Sequence, residues 1–118
     1  MFTIDNNGLI TVTRGDSFSF PIFINKGTKV CPQRYVLQEG DKVYLGIMEA
    51  NQPFEDALIR KVFTIKNLNK FGDVVAEFTP SDTSRIIPGK YYYEIKFTNA
   101  NESVVNTITS RRSFTINN

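Results

Sequence analysis

The chain has no histidine, no tryptophan and a single cysteine, Cys31. Without histidine it lacks the side chain that most often serves as a general base or metal ligand near neutral pH. One cysteine cannot close an intrachain disulfide, so the sequence excludes a small domain held together by bridges. We interpret Cys31 as a packing residue, and we predict no catalytic residue, no cofactor-binding residue and no metal ligand.

Charge of one sign and long apolar runs are also scarce. Lys and Arg number 14 and Asp and Glu number 12, which gives a formal net charge of +2. Such a balance predicts no nucleic-acid partner. The longest apolar runs are only a few residues, and no apolar segment follows a basic start, so we predict neither a membrane span nor a signal peptide. The expected place of synthesis is the cytosol.

The residues that are abundant favour β-structure. The chain of 118 residues contains 10 Phe and 5 Tyr, and aromatic and β-branched side chains suit the half-buried surface of a sheet. The length is that of one ordinary domain. We therefore predict a single domain over residues 1–118.

Three Gly-Asp pairs, at positions 15–16, 40–41 and 72–73, each precede a run of alternating apolar residues. Glycine readily adopts positive φ and aspartate hydrogen-bonds its own turn, so each pair indicates the entrance to a strand. Because side chains alternate between the two faces of a strand, the runs predict one buried face each. The predicted inward residues are Phe18, Phe20, Ile22, Ile24, Val43, Leu45, Ile47, Val74, Ala76 and Phe78.

The number and spacing of these runs define the predicted fold class. About 7–8 short antiparallel strands at regular intervals are typical of an all-β, immunoglobulin-like β-sandwich. Pro21 lies inside the run SFSFPIFI. Since proline cannot donate a hydrogen bond to a neighbouring strand, this strand is predicted to lie at an edge or to contain a bulge.

The segment FTPSDTSRIIPGKYYYEIKF, residues 78–97, predicts the corner of the sandwich. Residues 81–86 suit one helical turn, capped by Ser81 or Asp82. Alternation then places Tyr91 and Tyr93 on the inner face and Tyr92 on the outer face. Immunoglobulin-like domains use a tyrosine at this corner to bond the backbone just upstream. We predict that role for Tyr91, with Tyr93 as the second choice and the Asp82 segment as the partner.

Four aromatic residues are candidates for an interface. Phe23 and Tyr44 are predicted to face outward, Phe54 lies in the loop ANQPFED, and Tyr92 is the outward residue of its strand. Protein interfaces are enriched in aromatic side chains. The alternative for each residue taken singly is an isolated exposed apolar side chain, which is common on protein surfaces.

A family resemblance is carried by four segments: RGDSFSFPIFIN, YVLQEGDKVYLGIMEANQPFEDALIRKVFT, DVVAEFTPSDTSRIIPGKYYYEIKF and VVNTITSRRSFTIN. Together they resemble small proteins encoded in phages and prophages of Gram-positive bacteria. Their layout is similar to the N-terminal immunoglobulin-like domain of phage baseplate upper proteins. The resemblance implies a non-enzymatic virion protein: a capsid decoration or head-fibre accessory, or a tail or baseplate component.

The same resemblance implies the partners and the location. We expect other virion proteins as partners, with a homo-oligomer as a further option, and the assembled virion as the final location. A second class stays open from the residues alone. Exposed tyrosine rings also stack on sugars, so a carbohydrate-binding or adhesion module of a bacterial surface assembly is the alternative.

Overall fold

The computed structural model describes residues 2–5, 8–27, 32–101 and 105–118, and Cys31 therefore lies outside the described residues. Within these ranges the chain forms ten strands, one short helix and two 3-10 turns. The strands are β1 (Phe2–Ile4), β2 (Ile10–Thr13), β3 (Phe18–Ile22), β4 (Asn25–Gly27), β5 (Pro32–Arg34), β6 (Lys42–Met48), β7 (Ile59–Phe63), β8 (Val74–Phe78), β9 (Gly89–Thr98) and β10 (Val105–Asn117). The helix is α1 (Pro80–Ser84), and the 3-10 turns span Phe54–Asp56 and Ile65–Asn67.

Six strands form one sheet in the order β1-β2-β10-β9-β6-β7, and β3 pairs with β8 in a second sheet. The strands β4 and β5 form a separate hairpin. The order β10-β9-β6-β7 corresponds to strands G, F, C and C′ of a variable-type immunoglobulin domain, and β3 with β8 corresponds to B and E. The predicted all-β sandwich is confirmed.

The structure differs from the prediction in two details. The described chain has ten strands, more than the 7–8 predicted for the domain. In addition, β2 runs parallel to β10, with Ile10 opposite Phe114 and Val12 opposite Ile116. Parallel neighbours require a long connection between them. Here nearly the whole domain forms that connection, so local alternation in the sequence carries no sign of the pairing.

The core lies between the two sheets and has the residues that alternation predicted. Phe18, Phe20 and Ile22 of β3 face inward, as do Val74, Ala76 and Phe78 of β8. The rings of Phe18 and Phe78 stack with their centroids 4.6 Å apart. Burying each such side chain contributes on the order of 1.5–3 kcal/mol, so the apolar face of each strand fixes how the sheets meet.

The side of the sandwich next to β1 is covered by an aromatic side chain. The ring of Phe2 in β1 stacks on Phe18 and Phe20, with centroid distances of 5.2 Å and 5.9 Å. There β3 has no neighbour other than β8 in the described part of the chain, which confirms the edge position predicted from Pro21. Proline at an edge also discourages pairing with another chain, because it offers no N–H.

The crossover between β8 and β9 corrects two details of the prediction. Thr79, and not Ser81 or Asp82, is the N-cap of α1. The carboxylate of Asp82 accepts a hydrogen bond from the backbone N–H of Thr79 at 2.7 Å. Asp82 lies three positions after the cap, where its carboxylate satisfies a backbone N–H that the helix leaves unpaired.

The Tyr91 hydroxyl turns back onto the backbone upstream, where it donates a hydrogen bond to the carbonyl oxygen of Ile87. The acceptor is therefore not in the Asp82 segment, as the sequence suggested. Asp82 is engaged by Thr79 and by Lys61 instead. Ile87 lies four positions before Tyr91, so the hydrogen bond closes the turn that leads into β9.

Candidate interaction surfaces

Tyr44 lies on the outer face of the six-stranded sheet, where the register places it between Val62 of β7 and Lys96 of β9. Its side chain is partly buried, whereas 51% of Val62 is exposed. Residues that face each other across strands on one side of a sheet lie in contact range. Tyr44 is thus outward-facing, as predicted, and borders a mixed apolar and basic strip.

Phe54 lies against the same outer face and is not a free loop residue. A Cβ atom placed on Gly46 of β6 would come 2.8 Å from Cε2 of Phe54 and 3.2 Å from the Cβ of Ala57. The absence of a side chain at Gly46 therefore makes room for the ring. The ammonium group of Lys96 lies 4.6 Å from the ring centroid of Phe54, a distance at which a cation is attracted to an aromatic face.

Further contacts hold the loop that follows β6 on this face. Arg111 of β10 pairs with Glu94 at 2.8 Å and also donates to the carbonyl oxygen of Ala50 at 3.0 Å. Met48, which shares the outer face with Tyr44, is fully buried. The sandwich itself therefore covers a large part of its outer face.

Tyr92 is the third predicted interface residue on this face, and it is partly buried. The register places it opposite Met48 of β6 and Ser113 of β10. The ammonium group of Lys90 lies 5.8 Å from the centroid of the Tyr92 ring. Tyr44, Phe54 and Tyr92 thus share one face, but each is partly covered by its own neighbours.

Phe23, the fourth predicted residue, lies elsewhere. It follows β3 at one end of the second sheet, and 55% of its surface is exposed. The guanidinium carbon of Arg34 lies 5.0 Å from its ring centroid, and Arg34 forms an ion pair with Asp73. The structure does not bring Phe23 together with the other three candidates.

The turn from Asn69 to Asp73, beside Phe23, presents an aromatic residue that sequence reasoning missed. Phe71 stands at its tip and is 71% exposed. Val36, which is 43% exposed, has a methyl group 3.5 Å from the position that a Cβ on Gly72 would occupy. We use the name end surface for Phe23, Arg34, Val36, Phe71 and Asp73, with Lys70 at its rim.

The sequence contains a pattern that indicates the exposure of Phe71. The pair Gly72-Asp73 marks a turn at the entrance to a strand, and Phe71 directly precedes it. A large apolar residue at the tip of a tight turn has no core to enter, because turns run over the surface. Val36 carried no comparable signal, since its exposure depends on how the chain after β5 packs.

The surface of the described residues also has open clefts. One, of about 520 Å³, lies between residues 49–52 and residues 89–91, with Glu49 and Lys90 at its rim. Another, of about 500 Å³, lies between residues 17–19 and residues 77–80. In the ranges that the structure describes, no three His, Cys, Asp or Glu side chains lie close enough together to hold a metal ion. The same ranges contain no helix long and apolar enough to cross a membrane.

The strand order and the aromatic surfaces define a class, a β-sandwich with immunoglobulin-like strand order that exposes aromatic side chains. Comparison with known proteins adds no relative: no protein-family model matches the chain, and no curated protein matches it with significant similarity.

Proposed function

We propose that this protein is a non-enzymatic structural component of a bacteriophage virion, and that it acts through contacts with other virion proteins. Its place is the capsid surface, as a decoration or head-fibre accessory, or the tail and baseplate. The resemblance of its four segments to small phage proteins supports the virion assignment. The fold is compatible with it, because a sandwich offers loops and sheet ends as contact surfaces.

The observation that supports contact with a protein most directly is the exposure of Phe71 and Phe23 at one end of the sandwich. They expose 71% and 55% of their surface, and Val36, which lies next to Gly72, exposes 43%. Arg34 links the two rings indirectly, because it lies over Phe23 and pairs with Asp73 of the turn that carries Phe71. Single exposed apolar residues are ordinary, but several on one surface mark interaction sites. Aromatic side chains are also the residues that dominate binding energy in protein interfaces.

The experiment is the purification of virions from cells that carry the gene, followed by quantitative mass spectrometry of the particles. We expect the protein to sediment with the particles through two successive density gradients at a constant ratio to the major capsid protein. Particles lacking heads or lacking tails, separated in the same way, distinguish the capsid from the tail. Recovery of the protein only in the fraction that contains no particles would refute the proposal.

The alternative, a carbohydrate-binding or adhesion module, makes a different prediction. It requires tyrosine rings that are open to a sugar, and the candidates were Tyr44 and Tyr92. Both are partly buried, and Lys90 lies 5.8 Å from the Tyr92 ring centroid. Saturable binding of the purified protein to a defined glycan on an array, together with its absence from virions, would favour this alternative.

A further inference from the structure

We propose that the end surface docks a protein different from this chain, which supplies an apolar pocket for the Phe71 ring and acidic groups opposite Lys70. The inference rests on the proposed function, since it names the surface by which the protein would join the virion. It also commits to the chemistry of the partner.

The turn that carries Phe71 is held by four hydrogen bonds. The side-chain oxygen of Asn69 accepts from the backbone N–H groups of Phe71 and Asp73, at 2.9 and 3.0 Å. The backbone of Asn69 bonds to Asp73 and to Gly72, at 2.9 and 3.0 Å. Gly72 has a φ of +83°, which other residues rarely adopt.

This rigidity matters for binding. Because the backbone of the turn is already fixed, binding through Phe71 does not have to order the loop, so more of the contact energy remains as affinity. Phe71 makes no contribution to the core that would explain its presence, because 71% of it is exposed. Its position is that of an anchor residue, and Val36 and Phe23 are the other exposed apolar residues of the end surface.

The charged residues of the end surface favour a partner with acidic groups. Arg34 is neutralised by its ion pair with Asp73. Lys70 lies 5.1 Å from the centroid of the Phe71 ring, and it makes no ion pair among the described residues. The rim of the anchor is therefore positive, and acidic groups on the partner would complement it.

The same charge disfavours a second copy of this chain as the occupant. In a twofold contact, only the residues at the axis lie opposite their own counterparts. Two copies joined with Phe71 at the axis would therefore bring the two Lys70 ammonium groups close together. Like charges opposed in an interface weaken it and redirect it to other partners.

The test uses virions assembled in cells that express variants of the full chain in place of the natural protein. We expect Phe71→Ala to lower the ratio of this protein to the major capsid protein at least about tenfold, as loss of an anchor does. Ile87→Ala is the matched control, because Ile87 is 78% exposed and lies outside the end surface. Thermal melting of the purified variants confirms that both fold.

A charge reversal tests the chemistry of the partner. Lys70→Glu is expected to reduce incorporation, whereas Lys90→Glu, the same change beside the Tyr92 ring, is expected to leave it unchanged. Equal effects of these two variants would overturn the acidic partner. A photo-crosslinking amino acid at position 71 identifies the occupant directly. Crosslinks to another virion protein support the inference, and crosslinks between two copies of this chain overturn it.

The outcomes separate this inference from the proposed function. If the wild-type protein is present in the particles and Phe71→Ala is incorporated as well as Ile87→Ala, the end surface is not the docking site. The virion assignment then stands. Absence of the wild-type protein from the particles overturns the virion assignment and the inference that rests on it.

Discussion

The ammonium group of Lys61 lies 2.7 Å from the carboxylate of Asp82, across the opening between β7 and α1. Lys61 points to the inner face of β7, where the register pairs it with the buried Leu45. Its side chain passes 5.1 Å from the centroid of the Phe78 ring. One lysine therefore closes the lateral opening opposite β1. A charge that points inward from an edge strand also discourages pairing of that edge with another chain.

This ion pair predicts a stability that depends on pH. Burial alone would raise the pKa of Asp82, but the bonds from Lys61 and from the backbone and hydroxyl of Thr79 outweigh it and hold the pKa below its ordinary range. The carboxylate therefore stabilises the folded state above its ordinary pKa of about 3.9. That contribution is lost as the pH falls through the lower pKa of the folded state.

We expect Asp82→Asn to lower the free energy of unfolding by about 1 kcal/mol at pH 7, the range of partly exposed ion pairs. The difference from the wild type should vanish in acid, which urea unfolding between pH 7 and pH 2.5 measures. Glu77→Gln, a change at an exposed carboxylate of β8, is the control. A difference for Asp82→Asn that stays constant down to pH 2.5 would contradict the role of the ion pair.

Two substitutions of the corner tyrosine, Tyr91, are expected to lower the free energy of unfolding by unequal amounts. Tyr91→Phe removes the hydrogen bond to the carbonyl oxygen of Ile87 and should cost on the order of 1 kcal/mol. Tyr91→Ala also removes a ring that is only 8% exposed, and the resulting cavity should raise the cost to about 3 kcal/mol or more. Chemical denaturation compares the two variants. Equal midpoints would show that the ring and its hydroxyl do not hold the corner.

The contact between Gly46 and Phe54 predicts coupling between two positions. Gly46→Ala places a methyl group 2.8 Å from the Phe54 ring, so we expect a loss of about 1–3 kcal/mol through overpacking. In a Phe54→Ala background the ring is gone, and the same change at Gly46 should be nearly neutral. A double-mutant cycle by urea unfolding measures the difference. Additive effects would mean that the ring does not lie on Gly46 in solution.

Tyr35, which bonds to Asp41, is expected to ionise at an unusually high pH. The hydrogen bond to Asp41, with burial and the charge of the same carboxylate, raises the pKa of Tyr35 to about 12. The raised value means that the stabilising bond is complete below the ordinary pKa of about 10 and is lost as the pH rises towards 12.

Stopped-flow absorbance at 295 nm after a jump to alkaline pH measures the ionisation of the tyrosines before the chain unfolds. We expect a component near pH 12 that is missing in Tyr35→Phe and moves towards pH 10 in Asp41→Asn. Persistence of that component in Tyr35→Phe would assign it to another tyrosine, such as Tyr93, whose pKa burial also raises.

Local alternation accounts for the parts of the fold that were predicted correctly. The inward residues of β3, β6 and β8 are buried, and Tyr91 and Tyr93 face the core as their strand pattern indicated. These positions follow from the geometry of an extended chain, in which successive side chains point to opposite faces. The parallel pairing of β2 with β10 could not be predicted in the same way, because it joins the two ends of the described chain.

The interface candidates show where such reasoning stops. Alternation correctly placed Tyr44 and Tyr92 on an outer face, but it could not show that the face is largely covered. Phe54 and Phe71 both lie in polar loops. One packs over Gly46, and the other stands in solvent at the tip of a turn.

The sequence by itself indicated a β-sandwich and the inward-facing residues of β3, β6, β8 and β9, because both follow from a period of two between neighbouring residues. Only the tertiary structure decided which outward side chains remain exposed. Exposure depends on contacts between residues far apart in the chain, such as the loop after β6 folding onto its own sheet and the Asn69 turn meeting Val36. Those contacts leave Phe71 and Phe23 as the most exposed aromatic residues of the described chain.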